Sequence, residues 1–328
     1  MKQKALVTGG AGFIGSHLCE LLLDEGWEVF VLDNFVTGSK ENLSRVIKHP
    51  KLHLHEGDVL DRERLSALAD GVDTIFHLAA SLGVENILSN TLGSIEVNIL
   101  GTHNVLRIAA EGSKKVFIAS TSEVYGKSAD IPLKETGDCV YGSTEKNRWS
   151  YGTSKAIDEF FALAYWKERH LPVVIGRFFN TVGPRQSGRY GMVIPRLVTQ
   201  ALKGEPLSVH GDGKQTRCFT DVRDVVGAVY QLMTRPEAVG QVFNIGGGIE
   251  MSIEDLAKKI KMLTRSASAI VRIPYRQAYT EGYEDMRRRV PDISKISQLT
   301  GYKPKVDLET TLRKIIDYQN SVLRAQRV

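Results

Sequence analysis

Cysteine is scarce in this 328-residue chain. The three thiols, Cys19, Cys139 and Cys218, stand far apart without paired spacing. That excludes a disulfide framework and a cysteine-based zinc site, and it leads us to expect a reducing, cytoplasmic setting and no bound metal. No apolar run approaches the roughly 18 residues a membrane-spanning helix needs, so no membrane partner is expected. Strand-like sequence begins at Ala5, and no export leader is expected. Internal repeats and low-complexity tracts are lacking as well. Lys and Arg number 43 against 38 Asp and Glu, a net charge of +5, and only Arg287-Arg288-Arg289 forms a basic block. Nucleic acid is therefore not the expected partner; a small polyanion such as a nucleotide diphosphate suits so modest an excess.

What is present is alternation. Short β-branched runs at Ala5–Val7, Glu28–Leu32, Leu52–His55, Thr74–Leu78, Lys115–Ala119 and Val173–Gly176 alternate with amphipathic stretches at Phe13–Leu23, Arg62–Ala69, Ser94–Glu111 and Ser154–His170. Parallel strands joined by crossover helices read this way, and the expected class is α/β with a doubly wound parallel sheet. Beyond Phe178 the pattern loosens into loops rich in Gly, Pro and Arg, followed by a strand at Gln241–Ile245 and helices near Ile253–Leu263 and Leu308–Leu323. The expected organisation is a nucleotide-binding part over 1–177 and a smaller α/β substrate-binding part over 178–328, sharing a cleft, with chain crossings between them.

Gly9-Gly10-Ala11-Gly12-Phe13-Ile14-Gly15 follows the first strand and opens the first helix. Gly9 permits the tight turn, Gly12 lets backbone approach a pyrophosphate, and Gly15 lets the helix pack on the sheet. The helix N-terminus adds free amides and a positive dipole end. Asp33, closing the second strand, can accept both hydroxyls of an adenosine ribose and would repel a 2′-phosphate, so NAD is expected rather than NADP. Asn34 beside it, Asp58 and Val59 after the third strand, Leu78, Ala79 and Ala80 after the fourth, and Asn98 in the next helix complete the expected cofactor set.

Tyr151-Gly152-Thr153-Ser154-Lys155 places a phenol and an ammonium four residues apart on one helical face. An ammonium fixed there, and the positive nicotinamide, would lower the phenol from its usual pKa near 10 and make Tyr151 a base. The fifth strand ends in Ser120-Thr121-Ser122-Glu123, and Thr121 can hydrogen-bond the hydroxyl that Tyr151 deprotonates.

These motifs together resemble the extended short-chain dehydrogenase/reductase family, whose Rossmann-like members include nucleotide-sugar epimerases, dehydratases and decarboxylases. The resemblance rests on Thr8 to His17, Asp33-Asn34-Phe35 with Thr37-Gly38, Thr121, and Tyr151 with Lys155. It continues through Arg177 to Asn180, Gly183-Pro184-Arg185, and Gly211 to Arg217. It implies that Tyr151 takes the proton of a sugar 4-hydroxyl while hydride passes from C4 to NAD. It also implies that Asn180, Arg185 and Arg217 contact the nucleotide diphosphate. A homodimer joined by a four-helix bundle of Ser94–Glu111 and Ser154–His170 is implied in the same way.

Thr121-Ser122-Glu123 looks like the pattern of UDP-glucuronate decarboxylases and is similar to that of GDP-mannose 4,6-dehydratases; the Asp-Glu pair of deoxythymidine-diphosphate-sugar dehydratases is missing. Ser122 and Glu123 would position the ring. Arg289, two residues before Pro291-Asp292-Ile293, resembles a decarboxylase arginine that binds or steers the sugar carboxylate; the triplet reads equally as a solvated loop. Asn147-Arg148-Trp149 resembles the same branch. The loop Arg185–Val193 departs from it, and Arg189 and Tyr190 there would shape a different sugar pocket. UDP-glucuronate decarboxylation is thus the leading expectation, with 4-epimerisation, 4,6-dehydration and a non-catalytic dinucleotide-binding role as alternatives.

Overall fold

The computed structural model describes residues 3–83, 90–188, 192–278 and 286–325. Its main sheet is built from β1 (Lys4–Thr8), β2 (Glu28–Asp33), β3 (Leu52–Glu56), β4 (Thr74–His77), β5 (Lys115–Thr121), β6 (Val173–Phe178) and the later strand Gln241–Ile245. All pairs are parallel, in the order Gln241–Ile245, β6, β5, β4, β1, β2, β3. The order reverses between β1 and β4, opening a crevice at their carboxyl ends. Strand interiors such as Ala5, Leu6, Val7, Phe76, Phe117, Ile118 and Ile175 are fully buried, as near-continuous apolar runs in a sheet covered on both faces must be.

The first four helices are α1 (Phe13–Asp24), α2 (Arg62–Ala69), α3 (Thr91–Glu111) and α4 (Ser150–Arg169). α4 begins at Ser150, four residues before the amphipathic stretch read from Ser154, because the chain enters through a 3-10 turn at Asn147–Trp149; Tyr151 lies in its first turn, as the Tyr151–Lys155 spacing implied. Two helices hide in the stretch read as loops: α5 (Val193–Lys203) and α6 (Val222–Met233). Pro195 is tolerated because a helix's first turn has amides without internal partners. The valines of α6 read as strand-forming, yet Val222, Val225, Val226 and Val229 make one buried helical face beside α1.

The remaining strands form small sheets. Thr216–Cys218 pairs antiparallel with Glu250–Ser252 and parallel with Arg288–Arg289, and Leu207–His210 pairs with Ile270–Ile273. Gln241–Ile245, although late in the chain, is an edge of the main sheet, and Arg288–Arg289 returns toward the end of β5. Among the described residues no helix is long and apolar enough to cross a membrane, and no group of His, Cys, Asp and Glu is arranged to hold a metal ion.

Candidate functional site

The glycine turn is a steric device. Gly9 has φ +70°, and a Cβ there would lie 2.7 Å from the Ala79 amide nitrogen, so the turn sits directly on the end of β4. At Gly15 a Cβ would come 2.1 Å from the Gly9 carbonyl oxygen. At Gly12 it would meet, among the described residues, only that oxygen, at 3.1 Å. No side chain caps α1 at Gly12 and no acidic residue occupies its first turn. Its amides and dipole end therefore face a cradle that a pyrophosphate fits.

Asp33 is buried with Oδ2 accepting from the Ala11 amide and Oδ1 from the Phe35 amide, both at 2.9 Å. Burial raises its pKa and the backbone amides oppose the rise. Each oxygen keeps acceptor capacity for a ribose hydroxyl. Asn34 donates to Asp58 at 2.7 Å, and Val59, buried behind them, accepts from Asn104 at 3.1 Å. Asn98 accepts from the Ser81 amide at 2.8 Å and donates to Ser154 at 3.3 Å, tying the segment after Leu78-Ala79-Ala80 to α4. The expected cofactor residues thus line one continuous edge.

The reacting end is assembled differently. A 3-10 turn at Ser122–Tyr125 follows β5, with Thr121 Oγ1 accepting from the Glu123 amide at 3.2 Å. Ser122 is buried within it. The turn lies against α4 where Gly152 has no side chain; a Cβ there would sit 2.5 Å from the Glu123 carbonyl oxygen. Tyr151 is half-buried next to Thr121, whose hydroxyl hydrogen-bonds the phenol.

Glu123 carries the largest departure from sequence expectation. Its carboxylate is gripped by Arg148 at 2.6 Å and Arg289 at 2.7 Å, both guanidiniums buried. Burial alone would raise its pKa, but the two arginines outweigh it and hold the carboxyl at about 2. The arginine triplet is not a solvated loop: Arg287 pairs with Asp212, Arg288 with Glu250, and Arg289 turns inward to Glu123. Arg289 Nε is also buried, with no hydrogen-bond partner among the described residues.

The expected effect of Lys155 on Tyr151 is corrected. Lys155 Nζ is 2.6 Å from Asp158 Oδ2 in a fully buried pair. Among the protein's own groups, burial, then Glu123, then Asp158 push the Tyr151 phenol above its usual value, with only the Thr121 hydrogen bond opposing. Behind the site, Arg177 and Glu159 form a buried two-pronged pair at 2.9 and 2.7 Å.

The residues expected to hold a nucleotide diphosphate do not all converge. Arg185 is drawn to Glu20 and to Ser16, at 3.2 Å, both on α1. Asn180 donates to the Cys218 carbonyl at 3.0 Å, and Arg217 is buried, donating to the Thr216 and Met286 carbonyls. Arg189 and Tyr190 lie outside the described residues. Missed as site residues were Arg148, which the 3-10 turn before α4 carries to Glu123, and Asp158, whose spacing of one helical turn from Lys155 was a readable signal.

The family described as GDP-mannose 4,6 dehydratase matches residues 6–315. The UDP-N-acetyl-alpha-D-glucosaminuronate decarboxylase of Bacillus cytotoxicus is 43% identical over 97% of this chain and 98% of its own length. UDP-glucuronic acid decarboxylase 1 of Xenopus tropicalis is 37% identical over 99% of this chain and 74% of its own. Among solved structures, the UDP-glucuronic acid 4-epimerase of Bacillus cereus, in complex with UDP-glucuronic acid and NAD, superposes with a TM-score of 0.88. It is 30% identical and covers 98% of this chain and 100% of that one.

Proposed function

Because this chain belongs to the extended short-chain dehydrogenase/reductase family of NAD-dependent nucleotide-sugar epimerases, dehydratases and decarboxylases, we propose that it decarboxylates a UDP-linked uronic acid, UDP-glucuronate or its 2-acetamido analogue. The observation that carries this reading is Glu123, held ionised between Arg148 and Arg289 beside Tyr151. Two guanidiniums against one carboxylate leave a positive charge in excess, which suits a substrate that brings a carboxylate of its own. A carboxyl with a pKa of about 2 is a poor proton donor near neutrality, as a reaction that expels carbon dioxide rather than water allows. Both curated relatives described above carry decarboxylase names.

Bound NAD would supply the two-electron oxidation at sugar C4, its later reversal, and a positive charge beside Tyr151. Tyr151 takes the proton of the 4-hydroxyl, Thr121 orients that hydroxyl, and Lys155 steadies the phenolate. Gly9, Gly12, Phe13, Ile14 and Gly15 hold the pyrophosphate, Asp33 the adenosine ribose, and Asn34, Asp58 and Val59 the adenine side. Arg289 and Arg148 hold the uronate carboxylate next to C5, and Ser122 and Glu123 fix the ring. Asn180 and Arg217 face the nucleotide from the 178–328 part, and Arg185 serves to fasten its own loop to α1. The two parts, 1–177 and 178–328, close on the sugar between them.

Exposed apolar side chains on α3 and α4, Leu92 at 69% and Phe160 at 75% with Leu100, support a homodimer formed by these two helices. Three unpaired thiols accord with a reducing, cytoplasmic setting. The 4-epimerase structure that binds UDP-glucuronic acid favours a second reading, epimerisation of the same substrate. Incubation with UDP-glucuronate and with UDP-N-acetylglucosaminuronate, followed by mass analysis, separates them: we expect a product lighter by one carbon dioxide, whereas an isomer of unchanged mass supports the epimerase.

A further inference from the structure

We propose that Asp158 is a positioning residue of this site: by pairing with the Lys155 ammonium in a buried ion pair, it fixes where that ammonium sits and offsets part of the charge it presents to Tyr151. The inference rests on the functional reading only in taking Tyr151 as the base.

Lys155 and Asp158 are one helical turn apart on α4, 2.6 Å from nitrogen to oxygen, and their side chains are 2% and 0% exposed. An ammonium has three donors, so one is committed to Asp158 and two remain for phenol and ribose. Among the described residues Asp158 Oδ1 is buried and meets the hydrogen-bond criteria with no donor, so its charge is met chiefly by Lys155. Asp158 is itself held from behind. Thr102, on α3, lies near enough to favour its ionised form and is 3.0 Å from His77 Nε2, while His77 Nδ1 is 2.8 Å from the Thr8 hydroxyl. That hydroxyl accepts from the Ala79 amide at 3.3 Å, so a buried polar chain runs from the glycine-turn edge to the catalytic lysine.

The charged surroundings isolate the effect. On the open side Glu123 is held at about 2 by its arginines, and His77 is held neutral by burial, its pKa lowered to about 3. Glu159 is closed off in its pair with Arg177. Burial raises the Asp158 carboxyl and Lys155 pulls it back. Asp158 is, with Glu123, one of the two carboxylates that push the Tyr151 phenol up. Removing the negative charge of Asp158 makes the phenolate easier to form, so activity should appear at lower pH.

The test is the pH profile of kcat/KM for reduction of bound NAD by UDP-sugar, a half-reaction that decarboxylase, epimerase and dehydratase of this family all perform. A product other than the decarboxylated sugar would therefore overturn the functional reading without touching this one. We expect D158N to move the acidic limb down by about one pH unit with unchanged NAD content, and D158E, which keeps the charge, to restore the limb. D158S removes the same charge with a smaller side chain and decides the matter if D158N does not fold. An acidic limb that stays in place, or moves up, while activity falls evenly across the range would overturn the proposal and leave Asp158 a structural residue.

Discussion

The two ends of the site share one sheet edge and are built by opposite means. The proposed cofactor cradle is made of missing side chains: Gly9, Gly12 and Gly15 bring backbone against backbone, and the polar groups it offers are amides and one carboxylate, Asp33. The reacting end is made of charges that compensate one another, Glu123 with Arg148 and Arg289, and Lys155 with Asp158. A steric cradle should fail when atoms are added. A compensated cluster should fail when one partner is removed, and in a pH-dependent way.

The largest effect separates chemistry from binding: Tyr151→Phe should lower turnover by about 10²–10⁴-fold while bound NAD is retained, read by single-turnover kinetics and cofactor content. At the cradle, Gly15→Ala places a Cβ 2.1 Å from a backbone oxygen that cannot yield. NAD retention should fall by about a hundredfold, as calorimetry would show. Next is Arg148→Met. Glu123's folded pKa, about 2, lies below its ordinary 4.5, so its stabilisation is present above pH 4.5 and lost as pH falls toward 2. Removing one of its two partners should cost about 1–2 kcal/mol in urea unfolding at pH 7, with the gap to wild type closing between those two pH values. Smallest is Arg287→Ala. Its pair with Asp212 is solvent-exposed and screened, and denaturant midpoints should stay close to those of the wild type.

The same contrast governs what could be read without coordinates. Glycines at 9, 12 and 15 after a strand are legible because the steric requirement is local, and the parallel strands are legible because their runs are apolar throughout. Arg289 was singled out by resemblance, but its partner was not legible: its neighbours face Asp212 and Glu250, and the pairing of Arg288–Arg289 with Thr216–Cys218 turns it toward Glu123. Spacing placed Lys155 on Tyr151's face correctly but was silent about its charge, because Asp158 lies on that face too. Arg185 shows the converse: a guanidinium beside a glycine-proline turn suits phosphate, yet Glu20 is nearer. The valines of α6 followed tertiary burial over local propensity.

The central claim, that this compensated cluster handles a sugar carboxylate after oxidation at C4, is tested most directly by running the reaction with UDP-glucuronate and UDP-N-acetylglucosaminuronate in deuterium oxide and weighing the product. The product should be a nucleotide sugar that has lost one carbon dioxide and carries one deuterium at C5, where a solvent deuteron replaces the departing carboxylate. An isomer of unchanged mass, or a product lighter by one water, would contradict it.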